Sequence, residues 1–112
     1  MEKIFEQAML YDFYGPLLTQ HQKEIYESAV YENLSLGEIA ESYGISRQSV
    51  HDLIKRCDKM MQEYEERLHL IARFEANRKK LITMQKHLTD NHLDQEKIIE
   101  MLQMIDEMIE EL

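Results

Sequence analysis

The sequence of 112 residues contains few residues that interrupt helices, with only three glycines and one proline. It has no tryptophan and a single cysteine, so an intrachain disulfide is excluded. No apolar run approaches the roughly 20 residues that a transmembrane helix needs, and the N-terminus does not resemble a secretory signal. These absences predict a small, cytoplasmic, all-α protein with few, long helices and no membrane insertion.

Enzyme chemistry has little support in the sequence. The glycines at positions 15, 37 and 44 are scattered, so they form no glycine-rich phosphate loop. The five histidines include no pair four residues apart, and the zinc-binding pattern HExxH does not occur. We therefore predict no enzymatic activity, no metal site and no cofactor.

The clearest local pattern lies at residues 35–59, SLGEIAESYGISRQSVHDLIKRCDK. Ser35 and Glu38 form a capping box that begins a helix, and Gly44 suits the left-handed residue that ends it. Ser46 then caps a second helix. Two helices joined by a tight turn predict a helix-turn-helix, whose second helix commonly enters the DNA major groove.

The second helix of this motif has one apolar and one polar face. Its predicted buried stripe is Val50, Leu53, Ile54 and Cys57, so we interpret the cysteine as a buried hydrophobe rather than a reactive thiol. The opposite face holds the candidate nucleic-acid-binding residues. We predict that Arg47, Gln48 and His51 face bases, while Ser46, Lys55, Arg56 and Lys59 face phosphates. An ordinary pair of helices in a bundle is the structural alternative.

The segments around the motif are also predicted to be helical. A first helix covers about residues 2–14 and ends at Gly15–Pro16. Thr19 and Gln22 form another capping box, which begins a helix that continues to about Tyr31. No proline or glycine follows between Arg47 and Leu88. We therefore predict one continuous helix of some 40 residues, roughly 60 Å long at 1.5 Å per residue.

The predicted long helix carries apolar residues at coiled-coil spacing. Four- and three-residue steps relate Cys57, Met61, Tyr64, Leu68 and Ile71. Beyond them a shifted register, Phe74, Leu81 and Leu88, favours a kink or a new packing partner. After a turn at 89–91, Asp94 caps a last helix with an apolar stripe, Ile98, Leu102, Ile105, Ile109 and Leu112. Because an isolated helix of this length is marginal in water, it needs a partner.

We accordingly divide the chain into two parts. Residues 1–59 form a helical domain that contains the helix-turn-helix. Residues 60–112 form the long helical extension and an acidic C-terminal helix, which folds back on the long helix or pairs with another chain. We expect a homodimer through one of these helices.

The formal net charge of −9 opposes binding to a polyanion. Residues 1–46 contain eight acids and two bases, and residues 90–112 contain eight acids and one base. A net positive charge occurs only in the middle of the chain, where residues 47–59 have four bases and two acids. One hypothesis is that the acidic last helix covers this basic stretch and inhibits nucleic-acid binding.

The segment LTQHQKEIYESAVYENLSLGEIAESYGISRQSVHDLIKRCDKMMQEYEERL resembles region 4 of the bacterial sigma-70 factors, which reads the upstream promoter element. Together with the preceding YDFYGPLLT and the small size, it is similar to the YlxM family of small bacterial proteins. The match runs from about Tyr11 to Leu70. The resemblance implies a sigma-70 region 4-like helix-turn-helix fold and an association with the signal recognition particle, proposed from gene neighbourhood.

Three functions follow as alternatives. The protein is a regulatory protein that binds DNA through the second helix, or an accessory factor that contacts the GTPase or the RNA of the signal recognition particle. The third alternative is a dimerisation module that kept the fold without a nucleic-acid role. The basic face at 47–59 favours nucleic acid, and the acidic balance favours protein contact.

Overall fold

The computed structural model describes residues 3–112, and within that range it contains six α-helices, one short 3₁₀ helix and no β-strand. The helices are α1 (Lys3–Tyr14), α2 (Gln20–Val30), α3 (Leu36–Tyr43), α4 (Arg47–Leu68), α5 (Leu70–Thr89) and α6 (Gln95–Glu110), with the 3₁₀ turn at Gly15–Leu17. The predicted all-α fold is confirmed. The predicted start of α1 at residue 2 lies outside the described residues. Between residues 3 and 112, no helix is long and apolar enough to cross a membrane.

The predicted helix caps are present. Thr19 Oγ1 accepts from the backbone N–H of Gln22 at 3.2 Å, and the Gln22 side chain accepts from the Thr19 N–H at 2.9 Å. Ser35 and Glu38 form the same reciprocal pair at 3.1 and 3.0 Å. Each box satisfies two backbone donors that a helix start leaves without an intrahelical acceptor, so α2 and α3 begin where the sequence predicts.

The chain forms two compact units, the first ending at Ile71 and the second running from Ala72 to Leu112. In the first unit α4 packs against α1, α2 and α3. One apolar cluster joins α1, α2 and α4, with fully buried Tyr26, Cys57 and Met61 at its centre. A second cluster joins α2, α3 and α4. The predicted stripe of α4 is therefore its packed face, and Cys57 is a core residue.

The prediction of one unbroken helix from Arg47 to Leu88 is wrong, because the helix is interrupted at His69. This residue adopts a left-handed conformation with φ of 56°. The backbone N–H of Leu70 then donates to the Tyr14 hydroxyl at 3.3 Å, and that of Ile71 donates to a Glu65 carboxylate oxygen at 2.9 Å. These side chains supply acceptors for the first turn of α5, which offsets the cost of the left-handed residue.

The predicted coiled-coil seam on α4 serves mainly as intramolecular core. Cys57 and Met61 are fully buried within the first unit, and partly buried Tyr64 packs on the same cluster. Leu68 is 45 % exposed. The four–three spacing therefore reflects packing of α4 against α1 and α2 for most of its length.

The second unit is an antiparallel hairpin of α5 and α6. Asp94 caps α6 by accepting from the backbone N–H of Lys97 at 2.9 Å, as the sequence predicts. The helices are joined across one edge by the ion pairs Lys80–Glu107 at 3.0 Å and His87–Glu100 at 3.1 Å. The residues buried most deeply between them are Met84 and Met101.

Candidate nucleic-acid interface

The turn between α3 and α4 fixes the angle at which α4 is presented. Gly44 lies in the left-handed region with φ of 66°, and its N–H donates to the carbonyl of Ala40. The N–H of Ile45 donates to the same carbonyl at 3.1 Å. These bonds satisfy a carbonyl at the C-terminus of α3 and reverse the chain within two residues before Ser46 caps α4.

The core beneath the turn holds the two helices together. Ile25, Ile39 and Val50 are fully buried there, and Ala40 is 6 % exposed. Alanine at this position leaves little side chain between the helices, so α3 can lie close to its neighbours. The outer face of α4 is therefore held on a rigid support, as a recognition helix requires.

All seven predicted binding residues lie at the surface of the first unit, from Ser46 to Lys59. Lys55, Arg56 and Lys59 are exposed, and none of them forms an ion pair within residues 3–112. Unpaired cations on one face of a helix can neutralise phosphates without first breaking an internal salt bridge.

Arg47 lies across the start of α3 rather than extending straight from α4. Its Nε and Nη2 atoms are both 3.1 Å from the point where a Cβ atom on Gly37 would lie. The absence of a side chain at Gly37 thus leaves room for the guanidinium. This contact was not predicted from the sequence, because it joins residues of two different helices.

Gln48 and His51 share an acidic neighbour on the same face. The Gln48 amide donates to Asp52 Oδ1 at 2.9 Å, and His51 Nδ1 lies 3.4 Å from the same oxygen. The carboxylate of Asp52 is exposed. It orients two of the predicted base-facing side chains, and it also places a negative charge among the cations.

The Ser46 hydroxyl is occupied by the helix start. It accepts from the backbone N–H of Ser49 at 3.0 Å and donates to the Ser49 hydroxyl at 2.9 Å. A phosphate contact at this position therefore competes with the cap, or uses the exposed Ser49 hydroxyl beside it.

Asp58, the other acid of residues 47–59, is partly buried and is bonded to side chains of α1 and α2. Its carboxylate accepts from the Gln7 amide at 2.9 and 3.2 Å and from the Tyr26 hydroxyl. Burial and this hydrogen bond raise the pKa of Tyr26 above its ordinary value, so the hydroxyl remains a donor. Asp52 is consequently the one exposed acid between Arg47 and Lys59, and the exposed face is more basic than the sequence count indicates.

Cys57 has no features of a reactive thiol. It is fully buried beneath the basic face, and burial raises its pKa to about 11. A thiol with a raised pKa is a poor nucleophile at neutral pH. Among the described side chains, no group of three His, Cys, Asp or Glu residues is arranged to hold a metal ion.

A second surface feature of the first unit is an acidic groove between α1 and α2. The groove encloses about 580 Å³ and is lined by two tyrosines and three acids, Tyr11, Tyr31, Asp12, Glu27 and Glu32, together with Lys23 and Gly15–Pro16. The hydroxyl of Tyr11 donates to Glu27 at 2.6 Å, and that of Tyr31 donates to Asp12 at 3.0 Å. The net negative charge of the groove opposes the binding of a polyanion.

Comparison with known proteins gives one family whose model matches residues 1–105, described as "Putative helix-turn-helix protein, YlxM / p13 like". Similar proteins include a UPF0122 protein of Bacillus licheniformis, 42 % identical over 106 residues, covering 95 % of this chain and 98 % of the relative. Another, from Halalkalibacterium halodurans, is 38 % identical over 106 residues, covering 95 % and 96 %. A third, from Symbiobacterium thermophilum, is 43 % identical over 88 residues, covering 79 % and 82 %.

Proposed function

The chain belongs to the YlxM/p13-like family of helix-turn-helix proteins, and from this premise we propose that it binds duplex DNA through α4 as a regulatory protein. The observation that carries the proposal is the set of unpaired, exposed cations Lys55, Arg56 and Lys59 on a helix held rigidly by the turn at Gly44. Cations on a recognition helix supply the sequence-independent part of DNA affinity. We expect no catalytic activity and a cytoplasmic site of action.

The first turns of α4 supply the groups that would read bases. Gln48 can form a bidentate pair with adenine, and Arg47 can do so with guanine after leaving Gly37. His51 adds a further ring nitrogen on the same surface. Asp52 can accept from the amino group of cytosine, so its carboxylate favours certain sequences while it weakens non-specific binding.

A single copy should bind weakly. Three phosphate contacts give a slope of log affinity against log salt of about −2.7, at about −0.9 for each phosphate. This is a small electrostatic contribution, and the acidic groups elsewhere on the chain oppose it further. Binding should therefore be measured at low salt, and a second copy should strengthen it.

The test is a salt titration of duplex binding by the Lys55→Ala/Lys59→Ala variant. We expect the variant to lose about two-thirds of the salt slope of the full chain, since it lacks two of three phosphate contacts. The matched control is Lys79→Ala/Lys86→Ala, which removes two exposed lysines from α5 and changes the net charge equally. Equal losses in both variants, or a flat salt response of the unmodified chain, would refute the proposal.

The acidic groove favours a second candidate function, namely binding to a basic surface of a partner protein. The candidate partner is the GTPase of the signal recognition particle, which the family resemblance suggests. Two tyrosine rings beside carboxylates suit arginine or lysine side chains. Nuclease-treated co-purification from the native cell distinguishes the two functions. Recovery of the GTPase after nuclease treatment supports this candidate, whereas recovery of a discrete DNA site supports the first. RNA contact would be mainly to phosphates or loops, because duplex RNA has a deep, narrow major groove.

We also infer that the protein acts as a homodimer. The supporting observation is the number of large apolar side chains exposed on the second unit, among them Leu81, Leu102 and Ile109 at 54, 56 and 60 %. A hairpin of two helices rarely leaves so much apolar surface in water unless a partner covers it.

A further inference from the structure

The exposed apolar side chains of α5 lie along one line of the helix. Alternating steps of three and four residues relate Phe74, Asn77, Leu81, Met84 and Leu88, which is the heptad spacing of a helix seam. Met84 is buried against α6, but Leu81 and Leu88 are 54 and 64 % exposed. Met84 of this seam therefore packs within the hairpin, whereas Leu81 and Leu88 face outward.

The last helix repeats this arrangement. Its inner residue Met101 is 8 % exposed, while steps of four and three residues relate the more exposed Ile98, Leu102, Ile105 and Ile109. At 100° per residue these four side chains lie within a narrow sector of α6, about a quarter turn from Met101 and Met108. This helix too has one apolar side against α5 and one that faces outward.

The two outward stripes lie on the same face of the hairpin. Leu81 of α5 lines one apolar cavity of about 240 Å³ together with Ile105 and Ile109 of α6. The ion-paired Lys80 lies 100° around α5 from Leu81, so its pair with Glu107 belongs to the opposite edge. The outward stripes therefore form one continuous apolar face, defined here as the hairpin face.

The charges of the two helices are equal and opposite. Residues 72–89 of α5 carry five bases and one acid, a net charge of +4, and α6 carries five acids and one base, a net charge of −4. When two identical hairpins meet face to face, each α5 can lie on the α6 of the other. That pairing brings opposite charges together, whereas pairing α5 with α5 brings like charges together.

We propose that the hairpin face binds the hairpin face of a second copy, forming an antiparallel four-helix bundle in which α5 of each protomer packs on α6 of the other. The inference rests on the homodimer of the proposed function and assigns its interface. Two-fold symmetry satisfies both charged pairings at once, because each protomer offers one basic and one acidic helix.

One charged pair at the rim of this bundle can be named. Arg78 lies one residue beyond Asn77, on the side of α5 away from α6, and Glu110 lies one residue beyond Ile109, on the side of α6 away from α5. Asn77 and Ile109 line the same cavity, so the two charges are at similar heights along the hairpin. In the bundle, Arg78 faces Glu110 of the partner subunit.

Asn77 gives the bundle a means of fixing its register. It is the one polar member of the α5 seam, and among the described residues its Oδ1 atom is buried without a hydrogen-bond partner. A single asparagine in an apolar helix seam selects the alignment that pairs its amide. Because this oxygen is shielded within a single hairpin, the Asn77 side chain must rotate outward before a donor of the second copy can reach it.

The first test measures the mass of the full chain by sedimentation over a range of concentrations, without nucleic acid. We expect a dimer for the unmodified chain and at least a tenfold weaker dimer for Leu81→Gln. The matched control is Leu17→Gln, because Leu17 is 53 % exposed on the first unit and Leu81 is 54 % exposed. A monomeric unmodified chain overturns the proposal, and so does a folded Leu81→Gln variant that dimerises as before.

Charge reversal tests the pairing without changing the apolar face. Arg78→Glu and Glu110→Arg should each weaken the dimer, since each places like charges together at two symmetric positions. The double variant should recover most of the lost affinity, because both charges are then reversed in both protomers. Failure of the double variant to recover, with helicity unchanged, contradicts the pairing of α5 with α6 of the partner subunit.

These measurements are independent of DNA binding. If the chain is a dimer of the expected kind but the lysine variants bind duplex as before, the interface stands and the proposed function fails. If the salt-dependent binding through α4 is found in a monomer, the function stands and the interface fails.

Discussion

At the residue scale, two glycines of the helix-turn-helix have different reasons for lacking a side chain. Gly44 has open space around it, but its φ of 66° is unfavourable for residues with a Cβ atom. Gly37 has an ordinary helical position, and a Cβ there would meet the Arg47 guanidinium at 3.1 Å. Gly44 is therefore favoured by its backbone conformation, and Gly37 by the space that the flexible Arg47 side chain occupies.

This difference predicts unequal effects of alanine. Gly44→Ala should lower the free energy of unfolding by roughly 1–2 kcal/mol, the usual cost of a left-handed alanine. Gly37→Ala should change it much less, because the end of Arg47 can move aside. Urea denaturation of both variants measures the two values. Equal losses would show that the turn conformation is not what Gly44 provides.

The sequence was sufficient to place the exposed residues of α4 but not their neighbours. Helical periodicity places Lys55 and Lys59 on the side of α4 opposite Val50, independently of how the other helices pack. The partners of Asp58 are Tyr26 and Gln7, which are 32 and 51 positions away in the sequence. Local sequence patterns carry no information on such long-range contacts. Only the structure shows that the Asp58 carboxylate is bonded to these two side chains instead of being free on the basic face.

At the scale of elements, the caps were predictable and the break at His69 was not. A capping box is a pair of residues three positions apart, so the sequence displays it directly. The break depends on the hydroxyl of Tyr14, which comes from another helix and lies 56 positions from Leu70. Non-glycine residues are uncommon in the left-handed region, and although histidine is enriched among those that adopt it, no local pattern at His69 indicates that a hydroxyl acceptor lies beside the first turn of α5.

The junction of α4 and α5 should therefore depend on Tyr14. Tyr14→Phe removes the hydroxyl that donates to Glu65 and accepts from the N–H of Leu70. We expect it to lower the free energy of unfolding at neutral pH by about 1–3 kcal/mol, the cost of leaving such groups unsatisfied. Tyr31→Phe is the control, because its hydroxyl bonds Asp12 at an exposed position and should cost less.

Alkaline pH gives an independent check of the same tyrosine. Burial, and then the hydrogen bond to Glu65, raise the pKa of Tyr14 to about 12 from its ordinary value near 10. Below pH 10 both states keep the proton and the full stability remains. From pH 10 to pH 12 the unfolded chain releases it first, so stability falls as pH rises. Tyr14→Phe should reduce this slope in urea denaturation, and an unchanged slope would contradict the raised pKa.

At the scale of the whole molecule, opposite charges are kept on different surfaces. The net charge of −9 includes an acidic groove on the first unit and an acidic α6 on the second. The face of α4 from Arg47 to Lys59 is basic in spite of this balance. Net charge alone would have excluded nucleic acid, whereas the position of Asp58 shows why the local charge matters more.

The two units should be separable, because both apolar clusters of the helix-turn-helix lie within the first unit, which ends at Ile71. We expect a fragment of residues 1–71 to fold and to remain a monomer, since it lacks the hairpin face. Two copies of α4 on one duplex give a salt slope of about −5.4, and one copy gives about −2.7. Titrating both proteins with the same long duplex measures the difference. A folded fragment that keeps the affinity and slope of the full chain would show that dimerisation through the hairpin contributes nothing to DNA binding, and stronger binding by the fragment would favour inhibition by the acidic α6.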